Sequence, residues 1–199
     1  MSAYVLGLTG PSGTGKTTVS LLLVKYGAHV INCDSLSHQA IKDAKVLKDL
    51  KACFGEDIAP GDELDRKLLA SRAFGSRGAT ELLNSITHPA IFRVVGEHID
   101  AANRRKERLI VLDAPTLIES GVQVMCDSYA AVIAPMSLRR ERIKARDNLS
   151  ETEMFDRLNA GHPDEFYTKN ASFVINNKLG HDELEAAVKQ IVQSINNTK

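Results

Sequence analysis

Short apolar runs alternate with longer segments of helical periodicity along the chain. Residues 4–9 form a compact apolar run that predicts a buried strand. In residues 16–26 the apolar positions recur at helical spacing, which predicts a helix. Further short apolar runs predict strands at 28–34, 108–114, 129–134 and 172–175. Strands that alternate with helices in this order predict an α/β fold, with a doubly wound, mainly parallel sheet of about five strands and helices on both of its faces.

The region between the second and third predicted strands has a mostly helical pattern. Turn-rich stretches interrupt it at 54–62 and at 75–78. No repeat or long linker divides the sequence, so we expect a single domain. Its core would comprise 1–34 and 108–199, with a helical excursion from the sheet at about 35–103.

Two more helices are predicted in the last third of the chain. Ser150 and Glu153 have the spacing of a capping box, which predicts a helix beginning at this point. Residues 181–195 have the pattern of a closing amphipathic helix.

The composition is that of a globular protein without a strongly charged surface. Of the 199 residues, 43% are hydrophobic and 25% are charged, and the formal net charge is zero. This balance argues against nucleic acid or a membrane as a partner. Three widely spaced cysteines predict neither a disulfide framework nor a zinc site, and we see neither an export signal nor a membrane helix. We therefore expect a cytoplasmic protein, whose oligomeric state the sequence leaves open.

The strongest chemical signal is the sequence GPSGTGKT at residues 10–17. In this pattern, backbone N–H groups of a tight glycine-rich turn converge on phosphate oxygens at the start of a helix. Lys16 would reach the β- and γ-phosphates, and the Thr17 hydroxyl would coordinate Mg²⁺. A chance match is the alternative, but the position between a predicted strand and a predicted helix disfavours it. We expect a nucleoside triphosphate with Mg²⁺ to bind at Pro11, Ser12, Gly13, Thr14, Gly15, Lys16 and Thr17.

Two aspartates end predicted strands and are candidates for chemistry. Asp113 could hold Mg²⁺ directly or through water, or it could be an ordinary strand-end residue. Asp34 follows the second apolar run, where a carboxylate could accept a proton from an attacking hydroxyl. Its alternative role is to cap a helix that begins at Ser35.

Several arginines follow the fourth predicted strand on a helix-like stretch. Arg142 and Arg146 are four residues apart and therefore share a helix face, as do Arg139 and Arg142. A closing segment that brings guanidinium groups over a transferring phosphoryl group would have this pattern. The alternative is a solvated face whose arginines pair with the neighbouring acidic residues, Glu141 and Asp147.

Taken in order, these motifs resemble those of the dephospho-coenzyme A kinase family, from Leu6 to about Gly180. The phosphate loop and the three residues before it resemble the opening of that family, and 30–34 resembles its catalytic-aspartate strand. The other segments that carry the resemblance are 54–58, 64–66, 68–70, 87–89, 113–119 and 142–150. The loop alone would indicate only a superfamily, whereas these segments in the correct order are much more specific.

The resemblance implies a P-loop kinase that phosphorylates the ribose 3′-hydroxyl of dephospho-coenzyme A with ATP, the final step of coenzyme A synthesis. Asp34 would orient or deprotonate the hydroxyl. Lys16, Arg142 and Arg146 would bear on the developing charge, Arg142 and Arg146 from a lid at about 138–160. Asn177 matches an asparagine on the adenine side of the family's site. The residues implied on the acceptor side are Asp34, Leu64, Asp65, Arg66, His88 and Glu119.

Some positions depart from the family's pattern. Pro11 and Ser12 stand where the family usually has a glycine and an aliphatic residue, which the backbone cradle should tolerate because Gly13 and Gly15 remain. Towards the adenine side, the departures are Gly161 for a usual glutamine, Tyr167 for a common lysine and Ser172 for a common aspartate.

Three other functions stay open at this point. A P-loop GTPase would need an Asn-Lys-x-Asp motif to read guanine, but here Asn177-Lys178 continues as Leu-Gly. A nucleotide-binding module without turnover is a second possibility. The third is a kinase for another small hydroxyl acceptor, such as a nucleoside, shikimate or gluconate.

Overall fold

The computed structural model describes residues 2–147, 149–178 and 180–197. The strands are β1 Tyr4–Thr9, β2 His29–Asn32, β3 Leu109–Asp113, β4 Ser128–Ile133 and β5 Phe173–Asn176. All pair in parallel, in the order β2-β3-β1-β4-β5. The helices are α1 Lys16–Lys25, α2 Cys33–Ala40, α3 Ala44–Phe54, α4 Arg66–Ala73, α5 Arg77–Arg104, α6 Met136–Arg146, α7 Glu151–Asn159, α8 Asp164–Thr168 and α9 His181–Asn197. The predicted α/β fold with a parallel sheet is therefore confirmed.

The chain divides into two compact units. The first consists of residues 1–32 and 101–199 and contains the sheet. Every residue of β3 is buried, and so are all residues of β1 after Tyr4, as expected for parallel strands that are covered on both faces. On one side, α1 and α9 pack against each other. These two helices and the strands form a hydrophobic core, which contains Leu6, Leu8, Leu22, Leu23, Val111, Val132, Val188 and Ile191.

The second unit, residues 33–100, is helical. In it, α3 and α4 pack on each other and on a short 3₁₀ turn, Glu56–Ile58. Leu50 and Ile58 are fully buried there, and Leu69 is 6% exposed. A second 3₁₀ turn at Pro60–Asp62 passes through positive φ at Gly61 and Asp62, within the turn-rich stretch that the sequence indicates.

The second strand is shorter than the sequence predicts. It ends at Asn32, and α2 begins at Cys33, so Asp34 lies in the first turn of a helix and not at a strand end. Within the described residues, β2 lies at the edge of the sheet and pairs with β3 through His29–Asn32. The Ser37 hydroxyl donates to the Cys33 carbonyl at 2.8 Å, one turn earlier in the same helix.

The predicted capping box is present at the start of α7. The Glu153 amide donates to the Ser150 hydroxyl at 3.3 Å, and the Ser150 amide donates to the Glu153 carboxylate at 2.9 Å. The predicted closing helix is α9. Among the described helices, none is long and apolar enough to cross a membrane.

Candidate active site

The loop at residues 10–15 connects β1 to α1 at the carboxyl edge of the sheet. Gly13 and Gly15 have φ values of 81° and 90°, which favour glycine. The space around them is also filled. A Cβ at Gly13 would lie 2.7 Å from the Arg139 carbonyl oxygen, and one at Gly15 would overlap Asn177 Nδ2. Both glycines are therefore required by backbone conformation and by close packing.

Side chains from α6 and from the end of β5 hold the loop through its carbonyl groups. Asn177 Nδ2 donates to the Thr14 carbonyl at 2.8 Å, and Arg142 Nη1 donates to the same oxygen at 3.3 Å. Arg139 Nε donates to the Ser12 carbonyl at 2.9 Å, and Arg139 is only 5% exposed. These bonds fix the loop by its carbonyl groups, and in a glycine-rich loop of this kind the N–H groups converge on an anion.

Lys16, the first residue of α1, forms an ion pair with the Asp113 carboxylate. Asp113 is the last residue of β3 and lies opposite Leu8 of β1 in the sheet register. The side chains of Lys16 and Asp113 are 17% and 12% exposed. A cation and a carboxylate are thus paired at the edge of the sheet where β1 runs into the loop.

The oxygen groups at this edge fit a magnesium ion that is bound mainly by phosphate. Mg²⁺ in nucleotide sites takes one or two protein oxygens and fills its other positions with phosphate and water. The Thr17 hydroxyl and the Asp113 carboxylate are hard oxygen donors of this kind. In the described residues, no group of three or more His, Cys, Asp or Glu side chains could hold a metal ion on its own.

A cavity of about 720 Å³ opens over the loop and is called the loop cavity below. Its volume is within the range of small-ligand sites, roughly 300–1,000 Å³. Many of the residues predicted from the sequence to contact the nucleotide lie together in its lining: Pro11, Ser12, Gly13, Thr14, Gly15, Lys16, Thr17, Arg142, Arg146 and Asn177. The lining also contains Arg157 of α7, which the sequence did not indicate as a site residue.

Arg146 and Arg157, called the arginine pair below, share one carboxylate. Arg146 binds Asp147 with two hydrogen bonds, Nε to Oδ1 at 2.9 Å and Nη2 to Oδ2 at 2.8 Å. Arg157 Nη1 lies 3.1 Å from Asp147 Oδ2. The hydrogen bonds from Arg146, with a smaller effect of Arg157, lower the pKa of the Asp147 carboxyl. Asp147, one of the acidic neighbours that could pair with the arginines on a solvated face, does bind Arg146, but this pair lies beside the loop cavity.

Comparison with known proteins identifies the family. The family model for dephospho-CoA kinase matches residues 4–183. The chain belongs to the dephospho-CoA kinase family.

Relatives of similar length support this membership. The dephospho-CoA kinase of Latilactobacillus sakei subsp. sakei is 33% identical over 193 residues, which cover 96% of each chain. That of Corynebacterium diphtheriae is 35% identical over 191 residues, covering 95% of this chain and 96% of the relative. The crystal structure of TT1252 from Thermus thermophilus has a TM-score of 0.82 and 30% identity, and it covers 98% of both chains.

The residues that this kinase family implies on the acceptor side lie mostly in the helical unit. Asp34 is exposed in the first turn of α2. Asp65 caps α4, since its carboxylate accepts from the Leu68 amide at 2.9 Å. Leu64 and Arg66, on either side of it, line a cavity of about 440 Å³ within this unit, together with His38 and Lys42.

The two remaining acceptor-side candidates have local partners. His88 of α5 lies 5.9 Å from the Phe92 ring, and burial lowers its pKa. Glu119, in the sheet-containing unit, lies 3.6 Å from His162 Nε2. The contacts described for Asp65, His88 and Glu119 are with other residues of the protein. That these three residues bind the acceptor substrate stays a prediction.

The departures at positions 161 and 167 form one packing arrangement. Tyr167 is 3% exposed, and its hydroxyl accepts from the His162 amide at 3.3 Å. A Cβ at Gly161 would lie 3.3 Å from the Tyr167 hydroxyl oxygen and 3.5 Å from Pro11 Cβ. Burial raises the pKa of Tyr167. The small residue therefore leaves room for the buried ring beside the first residues of the loop. Ser172, the third departure, donates its amide to the Tyr129 carbonyl at 3.0 Å.

The sequence placed Arg139 with Arg142 on the helix face of a possible closing segment, but it did not predict that Arg139 is buried against the loop, and it did not indicate Arg157 as a site residue. Arg139 shares a helix face with Arg142, but burial against Ser12, far away in sequence, has no local signature. Arg157 lies on a different helix from Arg142 and Arg146, so no spacing rule relates it to them.

Proposed function

We propose that this chain catalyses the ATP-dependent phosphorylation of the ribose 3′-hydroxyl of dephospho-coenzyme A, which gives coenzyme A and completes its synthesis. The observation that carries the proposal is the family match over residues 4–183. The phosphate loop supports the donor half, but loops of this kind occur in many proteins that bind nucleoside triphosphates. The family match therefore favours this acceptor over shikimate, gluconate or a nucleoside, and favours a kinase over a GTPase.

The donor half of the reaction rests on the loop and Lys16. The loop N–H groups and the positive end of α1 would hold the phosphates of ATP. Lys16 would exchange its Asp113 partner for β- and γ-phosphate oxygens, which are stronger acceptors of its charge. Mg²⁺, held by the Thr17 hydroxyl and by Asp113 directly or through water, would neutralise charge on the β- and γ-phosphates.

In the transfer step, the acceptor's 3′-oxygen forms a bond to the γ-phosphorus, and the bond from this phosphorus to the β–γ bridging oxygen breaks. The hydroxyl proton goes to the Asp34 carboxylate, and ADP leaves. Arg142 and Arg146 would stabilise the charge that spreads over the transferring group. Support for these roles comes from the residue types, from the placement of Arg142 and Arg146 at the loop cavity, and from the resemblance for Asp34.

The remaining residues complete the proposal. Asn177, which contacts the loop, would lie near the adenine. Leu64, Asp65, Arg66, His88 and Glu119 would bind the acceptor. The partners are ATP and dephospho-coenzyme A, with no nucleic acid and no membrane, and we propose a cytoplasmic location because the cysteine usage fits a reducing compartment.

The test combines purified protein, ATP and Mg²⁺ with each of four acceptors: dephospho-coenzyme A, shikimate, gluconate and adenosine. Mass spectrometry then identifies any phosphorylated product. We expect product only with dephospho-coenzyme A. A product formed from one of the other acceptors and not from this one would contradict the assignment while leaving the donor half intact.

Replacement of Asp34 tests the acceptor step separately. Asp34→Asn removes the proton acceptor, so kcat should fall at least about 100-fold, the usual contribution of a general base, with unchanged affinity for ATP. Asp49→Asn, which neutralises another exposed aspartate of the helical unit, is the control and should keep full activity. If Asp34→Asn turned over as well as the control does, Asp34 would not be the base.

A further inference from the structure

The loop cavity contains four cationic side chains, and their partners are of two kinds. Arg142 is bound by the uncharged Thr14 and Asn177 carbonyl groups. Lys16 and the arginine pair are bound by carboxylates that belong to the protein. A carboxylate that fills a cationic pocket occupies the place that a phosphate group would take, because each can offer two charged oxygens to the paired N–H groups of a guanidinium.

The geometry at Asp147 is that of an occupied anion site. One carboxylate accepts two hydrogen bonds from Arg146 of α6, at 2.8 and 2.9 Å, and forms an ion pair with Arg157 of α7 at 3.1 Å. Its side chain is 22% exposed, while those of Arg146 and Arg157 are 56% and 45% exposed. The two arginines together carry one more charge than the carboxylate neutralises, so their position at the loop cavity is electrostatically favourable for a polyphosphate.

The position of Asp147 in the chain allows it to leave the arginines. It lies directly after the last residue of α6 and has extended backbone dihedral angles, φ −114° and ψ 128°. Arg157, in contrast, lies within α7, whose start is fixed by the capping box of Ser150 and Glu153. A change of backbone conformation at the end of α6 could therefore move the Asp147 carboxylate while Arg157 stays in place.

We propose that Arg157 is a phosphate-binding residue of this site, that it acts together with Arg146, and that Asp147 occupies the arginine pair until the polyphosphate of the nucleotide displaces it. The inference rests on the proposed function for the identity of the nucleotide, and it adds a residue of α7 to the donor site. Asp147 then competes with the nucleotide and so lowers the affinity of the site for it. While no nucleotide is bound, Asp147 reduces the repulsion between the two guanidinium groups.

Equilibrium binding of MgATP and of adenosine to the full chain tests this role without any acceptor. For Arg157→Gln we expect the Kd of MgATP to rise about tenfold, the loss of a charge-assisted hydrogen bond at a partly exposed site. The Kd of adenosine should change less than about twofold, since adenosine has no phosphate. Arg157→Lys keeps the charge without the planar fork and should give an intermediate Kd for MgATP.

Arg140→Gln is the matched control. Arg140 also joins α6 to α7, through Glu151 at 2.6 Å, but it lines a different groove and is absent from the lining of the loop cavity. Its replacement breaks a comparable ion pair between the helices and should leave the Kd of MgATP unchanged. An equal weakening by Arg140→Gln and Arg157→Gln would overturn the proposal in favour of a purely structural role for the ion pairs.

Asp147→Asn distinguishes a displaced carboxylate from a supporting one. It should lower the Kd of MgATP severalfold, and this gain should disappear when Arg146→Gln and Arg157→Gln are combined with it. Unchanged binding of MgATP by Arg157→Gln, an equal loss of adenosine and MgATP binding, or weaker MgATP binding by Asp147→Asn would each contradict the inference. A wild-type chain that binds MgATP as described but does not phosphorylate dephospho-coenzyme A would sink the proposed function and leave this inference standing.

Discussion

Arg139 of α6 contacts the phosphate loop and Arg157 of α7 lines the loop cavity, yet their surroundings are opposite. Arg139 is 5% exposed and donates to a loop carbonyl, whereas the Arg157 side chain is 45% exposed and pairs with a carboxylate. A buried guanidinium with backbone partners has nowhere to move without leaving those carbonyls unpaired. An exposed one can change partners at little cost. The two arginines thus represent two kinds of side chain: one that fixes the conformation of the loop, and one that can bind the same phosphate ligand as the loop.

We expect Lys16 to give the largest effect, because it is paired with a carboxylate, as Arg157 is, and would bear directly on the γ-phosphate. Lys16→Met removes the charge that would bear on the γ-phosphate, so kcat/KM should fall by roughly 100- to 1,000-fold, or about 3–4 kcal/mol of transition-state stabilisation. Steady-state kinetics with MgATP and dephospho-coenzyme A measures it.

The control lies at the other end of the same helix. Lys25 pairs with Glu185, and its side chain is 59% exposed. Lys25→Met should therefore alter kcat/KM less than about twofold, as expected for a surface ion pair away from the site. Turnover by Lys16→Met within tenfold of this control would mean that Lys16 does not act on the transferring phosphate.

Arg139 should give the next effect, and it should appear in stability. Arg139→Met leaves the Ser12 carbonyl without its donor, so the free energy of unfolding should fall by about 1–3 kcal/mol. Arg157→Met, at an exposed ion pair, should cost less than about 1 kcal/mol. Urea unfolding followed by circular dichroism gives both values. Equal losses for the two variants would remove the distinction between loop-shaping and ligand-binding arginines.

The smallest effect concerns pH and the carboxylate of the arginine pair. Arg146, and less strongly Arg157, lower the pKa of Asp147 below its unfolded value. The stability that this carboxylate contributes is therefore present above the ordinary aspartate pKa of about 3.9 and is lost as pH falls through the lower folded value. Thermal unfolding of the wild type and of Asp147→Asn should give a Tm difference that shrinks with acidification below about pH 4. A difference that is constant down to pH 2 would contradict this linkage.

The features that sequence could predict are those with a local signature. The loop, the strands and the capping box of α7 depend on residues that are neighbours in the chain. The loop and the capping box are found where their patterns place them, and four of the five predicted strands agree with the structure to within one residue at each end. The end of the second strand was predicted wrongly: its pairing with β3 stops at Asn32, opposite the last residue of β3, and the start of α2 at Cys33 has no signal in the apolar run itself.

The features that sequence did not predict depend on contacts between distant residues. The burial of Arg139 requires the Ser12 carbonyl, 127 positions away, and the shared carboxylate of Arg146 and Arg157 requires α6 and α7 to be adjacent. The contact between Gly161 and the buried Tyr167, at two positions where the chain departs from the family resemblance, likewise has no signature in the local sequence pattern.

The central claim is that the γ-phosphoryl group held by this loop is transferred to the 3′-hydroxyl of dephospho-coenzyme A. It is tested most directly with ATP that carries an isotope label in that group, incubated with the protein, Mg²⁺ and dephospho-coenzyme A. We predict coenzyme A whose 3′-phosphate carries the label, formed at least about 100-fold more slowly by Lys16→Met than by the wild type. Labelled inorganic phosphate with unchanged dephospho-coenzyme A would contradict it.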